Sequence, residues 1–172
     1  MRALWSSGET TYDSAYHHLA DVPMSPKPPA GTVPVWLAGS APPALARAAR
    51  LGDGWIGAGS APLAAFPAQC RGVLDALEAH GRDPGDFARS RRVYLAVEDT
   101  REEAVRRLTP LLDGMYGWPG MTERCGLCGP PELVAEELAE LVGAGATELL
   151  LNPLGDMPEQ LERLVEVRDL VH

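Results

Sequence analysis

Four short apolar runs, each followed by a stretch with helical spacing, set the terms for what this chain can fold into. VPVWLAG occupies 33–39, DGWIGAG 53–59 and RRVYLAV 91–97, and GAGATELLLNPL carries the fourth run at 148–152. A short run that is apolar throughout fits a strand buried on both faces, as in a parallel sheet. After the first run comes PPALARAARLG, where Pro42 and Pro43 suit an opening helical turn and Gly52 suits its stop. Between Pro62 and Gly81, the residues Phe66, Cys70, Val73, Leu74 and Leu77 fall on one helical stripe. Thr100 with Glu103 forms a capping box, and Asp156 with Glu159 repeats the arrangement ahead of the last helix. Pro131 to Val142 reads as another amphipathic helix, with Val134, Leu138, Leu141 and Val142 inward.

Strands that alternate with helices in this way make parallel βα units, so the fold class is α/β. Four such units make either a small open sheet or half of an eight-stranded barrel, whose full length is typically about 250 residues. With 172 residues, the expectation is a half-barrel over 33–172. Residues 1–32 stand apart: MRALW reads as a helix remnant, and GETTYDSAYHHLADVPMSPKPPAGT as a loop with a weak hairpin.

Charge narrows the partners. The chain carries 15 Lys and Arg against 24 Asp and Glu, a net charge of −9. Its arginines are dispersed, so no basic stripe offers itself to a nucleic-acid backbone. No apolar run approaches the ~20 residues needed to cross a bilayer. MRALWSSGE has no basic-then-apolar leader pattern, so the cytoplasm is the expected compartment and a small molecule the expected partner.

The best candidate site is the Ala38-Gly39-Ser40-Ala41 turn, at the end of one predicted strand and the start of a helix. Backbone N–H groups and the positive end of the helix dipole favour a phosphate there, Gly39 permits close approach, and Ser40 can add a hydrogen bond. From the residues alone, the competing reading makes Ser40 an N-cap and Gly39 a turn residue. Gly57 and Gly59 close the second run; they either admit a phosphate or ring edge, or make a tight βα turn. Trp55 reads as core packing. His17 and His18 lack further ligands for a metal, His80 suits a helix end, and His172 has no assigned role. Cys125 and Cys128 have the spacing of a thiol–disulfide site, but no strand is evident before them and the next helix starts only near Pro131. Cys70, the third cysteine, sits on the apolar stripe.

Three blocks, in order, carry a family resemblance. RALWSSGETTYDSAYHHL resembles the lead into the fifth strand of the bacterial luciferase-like monooxygenases. MSPKPPAGTVPVWLAGSAPPALARAARLGDGWIGAG (24–59) is similar to their central signature, and CGPPELVAEELAELVGAGATELLLNP (128–153) to their closing helix and eighth strand. The resemblance implies a (β/α)8 barrel of which this chain carries strands five to eight, and a cofactor that is FMN or a deazaflavin (coenzyme F-420). It implies that Ala38, Gly39, Ser40 and Ala41 hold the cofactor's phosphate, and that the whole enzyme is an oxidoreductase or monooxygenase acting on a small organic substrate. No catalytic acid or base is identified. The alternative is a non-catalytic half-barrel that pairs with itself or another half-barrel, since open sheet edges and an uncovered apolar face drive association into homo-oligomers.

Overall fold

The computed structural model describes residues 1–6, 8–29 and 33–171, in two compact units, Met1–Val35 and Trp36–His172. The expected boundary between 32 and 33 borders residues 30–32, which with His172 lie outside the described residues.

The first unit holds α1 (Arg2–Trp5) and an antiparallel hairpin of β1 (Thr10–Asp13) and β2 (His18–Val22). Ser14 ties the turn, its Oγ accepting from His17 N at 3.0 Å, while Asp13 and His18 pair across the strand ends. Lys27 Nζ donates to the carbonyls of Leu4 (2.8 Å) and Gly8 (3.1 Å), so a lysine ammonium holds the α1 end in place. A short helix and a hairpin thus occupy the segment read as a helix remnant and a loop with a weak hairpin.

The second unit runs β3 (Trp36–Ala38), α2 (Pro42–Leu51), β4 (Gly54–Gly57), a 3-10 turn (Leu63–Ala65), α3 (Phe66–Ala79) and β5 (Ala88–Val97). It continues with α4 (Arg101–Tyr116), α5 (Met121–Cys125), β6 (Gly126–Gly129), α6 (Pro131–Gly143), β7 (Glu148–Pro153) and α7 (Met157–Leu170). All strand pairings are parallel: β3 with β4, and β4, β6 and β7 each with β5. β7 overlaps the β5 residues used by β4 and those used by β6, so β4 and β6 share one edge of β5 and β7 takes the other. The main sheet is therefore β3-β4-β5-β7, the four strands expected from the sequence, in chain order.

That order has a consequence. Right-handed crossovers that always step the same way place their helices on the same face. The residues facing α2, α3, α6 and α7 include Leu37, Trp55, Val93, Leu95 and Leu151, and they form the larger core. On the opposite face the same strands present Trp36, Ile56, Arg92 and Leu150, with Trp36 and Leu150 exposed. At the end of β5 that second face is covered too: Tyr94 and Ala96 pack with Leu108 and Leu112 of α4, Met121 and Cys125.

The structure corrects the expectation of four strands to five. β6, the sequence GLCG, carries only two side chains, and its strand character comes from pairing Leu127 with Leu95 and Cys128 with Ala96. Its glycines are dictated by packing. A Cβ on Gly126 would sit 2.7 Å from Leu108 Cδ2 and 2.8 Å from the Thr122 carbonyl, and one on Gly129 would sit 2.7 Å from Leu133 Cδ2. β5 starts earlier than the expected 91–97, because Ala88, Arg89 and Ser90 also lie within it. Val142, expected inward, is exposed. Both capping arrangements hold: Thr100 Oγ1 accepts from Glu103 N at 3.2 Å, and Asp156 Oδ1 from Glu159 N at 3.3 Å.

The Cys125-x-x-Cys128 spacing spans the end of α5 and this strand, and both thiols are free and buried. Burial pushes Cys128 up from 9.0 to about 12 and raises Cys125 as well, the reverse of what a reactive thiol needs. Neither thiol should react with a disulfide reagent at pH 8 until denaturant is added, and labelling of the folded protein would overturn this. The folded chain keeps the Cys128 proton to higher pH than the unfolded chain does. Its contribution to stability is therefore constant below pH 9.0 and is lost as pH rises to about 12, a slope that urea titrations of wild type and Cys128→Ala will resolve. Gly126→Ala should cost ~1–3 kcal/mol in the same measurement, through overpacking against the Thr122 backbone.

Candidate functional site

The candidate site is the C-terminal rim of the parallel sheet, where β3 and β4 deliver their connecting turns. Ala38 ends β3, and Gly39 takes φ +141°, a conformation L side chains rarely adopt. A Cβ there would also lie 2.5 Å from the Ala44 Cβ, so only glycine lets α2 begin so close to the strand. The Gly39 carbonyl accepts from Trp55 Nε1 at 2.7 Å, and the Trp55 indole stacks on Phe66 with ring centroids 5.6 Å apart. Trp55 is fully buried, as its packing role requires, and it also fixes the position of the turn.

Ala41, not Ser40, is the N-cap of α2, and it makes no side-chain capping bond. Its carbonyl accepts from Ala44 N (2.8 Å) and Leu45 N (3.1 Å). The capping explanation of Ser40 therefore fails. Its Oγ is buried without a hydrogen-bond partner among the described residues, a state that costs about 1–3 kcal/mol unless something satisfies it. The prolines modify the sequence-level argument as well. Pro42 and Pro43 open α2 and have no N–H, so the helix's own first turn offers fewer donors than an ordinary N-terminus. What the turn can offer a ligand is the backbone of residues 39–41, the Ser40 hydroxyl and the helix dipole. A phosphate, with several acceptor oxygens, fits that donor set.

Gly57 and Gly59 have packing reasons of their own. A Cβ on Gly57 would meet Arg91 Cδ at 3.2 Å; one on Gly59 would meet Tyr94 Cε2 at 2.7 Å and Arg92 Cδ at 2.9 Å. The loop they bracket turns its carbonyls toward arginines. Arg91 is fully buried and donates to the carbonyls of Ala58 and Ala61, the latter at 2.6 Å, while Arg124 Nε donates to Ser60 O at 2.9 Å. Burial lowers the Arg91 pKa from its ordinary value. Beside the loop, the hydroxyls of Tyr94 and Tyr116 are hydrogen-bonded at 3.1 Å with their rings edge to face. Burial, then the bond to Tyr94, pushes Tyr116 up to about 12, so the Tyr116 phenol keeps its proton at neutral pH.

The structure thus brings the 38–41 turn and the 57–61 loop to one rim, since Ala38 pairs with Ile56. It adds Arg91, Arg92, Tyr94 and Tyr116, which sequence reasoning missed. The Arg-Arg step inside an otherwise apolar strand was the available signal. Among the described residues no group of three or more His, Cys, Asp or Glu could hold a metal, and no helix is long and apolar enough to cross a membrane.

The chain is 26% identical over 106 residues to an F420-dependent glucose-6-phosphate dehydrogenase from Kineococcus radiotolerans, covering 61% of this chain and 31% of that protein. Its fold matches an F420-dependent secondary alcohol dehydrogenase solved with an F420-acetone adduct (TM-score 0.83, 17% identity, 99% of this chain and 58% of that one). It also matches the coenzyme F420-dependent tetrahydromethanopterin reductase from Methanopyrus kandleri (TM-score 0.75, 15% identity, 96% and 58%). A third match is the monooxygenase RslO1 from Streptomyces bottropensis (TM-score 0.70, 19% identity, 99% and 57%). The chain thus spans less than two thirds of the length of each of these proteins. The family model for luciferase-like monooxygenases matches residues 1–118, and with the parallel α/β fold in agreement, the chain belongs to that family.

Proposed function

We propose that this chain is the cofactor-anchoring part of a luciferase-like oxidoreductase that uses FMN or a deazaflavin, with Ala38, Gly39, Ser40 and Ala41 holding the cofactor's phosphate. The observation that carries the reading is the Ser40 hydroxyl, buried and without a hydrogen-bond partner among the described residues, in a turn between a parallel strand and a helix N-terminus. We further read β3-β4-β5-β7 as strands five to eight of a (β/α)8 barrel, which accounts for an inner sheet face that no helix of the main layer covers.

The bound flavin or deazaflavin supplies the hydride chemistry. The residues of this chain bind and orient it. Gly39 lets the backbone approach the phosphate, Ser40 contributes one hydrogen bond, and Trp55 holds the turn in register through the Gly39 carbonyl. Gly57 and Gly59 shape the neighbouring loop. The exposed Trp36 and Leu150 on the inner face favour a second reading, a half-barrel that self-associates to cover them.

Fluorescence titration separates the claims. FMN should bind more tightly than riboflavin, which lacks the phosphate. Ser40→Ala should weaken FMN about fivefold, the equivalent of one hydrogen bond at ~1 kcal/mol, and leave riboflavin unchanged. Gly39→Val should abolish the preference. Equal affinity for FMN and riboflavin in the wild type would overturn the phosphate assignment. A mass from sedimentation that shows a dimer without flavin binding would favour the second reading.

A further inference from the structure

A second group of polar side chains at the same rim has no role in holding the turn. Arg92 lies on the inner face of β5, exposed, and makes no hydrogen bond or ion pair among the described residues. Its stem runs beside the Tyr94 ring: one point above Gly59 is 2.9 Å from Arg92 Cδ and 3.1 Å from Tyr94 Cζ. Tyr94 and Tyr116 share a single hydrogen bond between their hydroxyls. Two phenols have two O–H protons, so this pair keeps one donor with no acceptor among the described residues.

The charge around these donors is not balanced. Arg91 and Arg124 give their hydrogen bonds to carbonyls of the 58–61 loop, and among the described residues neither they nor Arg92 is paired with a carboxylate. Three arginine side chains therefore border one loop in a chain whose net charge is −9. Backbone carbonyls accept from two of them, leaving Arg91 Nε without a partner among the described residues, and supply no negative charge. Arg92 is the one that faces open space, with a planar fork of donors suited to an oxyanion.

We propose that Arg92 and the Tyr94–Tyr116 hydroxyl pair form a binding site for a carboxylate or phosphate group of a small-molecule ligand, distinct from the 38–41 turn. The strand register separates the two places. Ala38, Ile56 and Ser90 lie side by side across β3, β4 and β5, so the 38–41 turn leaves its strand two strand spacings from the part of β5 that carries Arg92. Two spacings are ~10 Å. The Tyr94 ring edge and the Arg92 stem meet over Gly59, which explains why that position tolerates no side chain. The site itself needs no bound cofactor. Its assignment to a substrate rather than to the cofactor rests on the phosphate reading of the turn.

The test follows arginine Nε–H resonances of the full-length chain during titration with inorganic phosphate and, separately, acetate, with and without FMN. The Arg92 signal, assigned by its loss in Arg92→Gln, should shift saturably with both anions, and FMN should not displace them. In the variants, anion affinity at this site, read by calorimetry with FMN present, should fall at least tenfold in Arg92→Gln and severalfold in Tyr94→Phe. It should be unchanged in Ser40→Ala. An unsaturable response, or unchanged affinity in Arg92→Gln, overturns the proposal. So does a loss of FMN affinity, but not riboflavin affinity, in Arg92→Gln, because Arg92 would then be reading the cofactor's own phosphate. If FMN fails to bind at all while the Arg92 signal still saturates, the cofactor reading falls and the oxyanion site stands.

Discussion

Strand β5 is the element on which the second unit depends, because it is asked to be buried on both faces and hydrogen-bonded on both edges. β4 and β6 line one edge and β7 the other; only β3 reaches the sheet through a neighbour. Its alternate residues feed two separate cores. Val93, Leu95 and Val97 face the main helix layer, while Tyr94 and Ala96 face α4 and the α5–β6 segment. A strand in that position must be apolar on both sides wherever both layers are present. Where the inner layer is absent, it is free to carry polar residues, and Arg92 appears at that point.

The rim chemistry follows from this arrangement. Because β3 and β4 are parallel and in register, their C-terminal ends arrive together beside the middle of β5, and the connections after them become neighbours. The first connection is held rigid by a buried indole that donates to a glycine carbonyl. The second is held by a buried guanidinium that takes two of the loop's carbonyls. Each device leaves donors over. In the first loop these are the Ser40 hydroxyl and the local backbone; in the second, an arginine fork and a phenol. A rim that fixes its loops through their carbonyls presents donors outward, and donors outward favour anions even on an acidic chain.

The membership of the luciferase-like family sits comfortably with this geometry, since nearly the whole chain superposes in fold on the F420-dependent dehydrogenase and reductase that it matches. Identity to those structures is low, so what is shared with them is the architecture. The loops, where chemistry is decided, are the parts in which chains on one scaffold differ.

The sequence by itself determined the main strands, the helices between them and the capped starts at Thr100 and Asp156, because those features are written in local periodicity and in residues that bond within one turn. It also located the Gly39–Ser40 turn, since a glycine-serine step after an apolar run is a local signal. Tertiary structure alone decided that GLCG is a strand, that Arg91 is buried, that Val142 is exposed and that Ser40 is not a cap. Each of these depends on a partner distant in the chain: a ladder to β5, a pair of carbonyls on another loop, or the line along which α6 meets its neighbours. The meeting of Arg92, Tyr94 and Tyr116 belongs to the same class, for no spacing in the sequence reveals that a helix folds back to set one phenol against another.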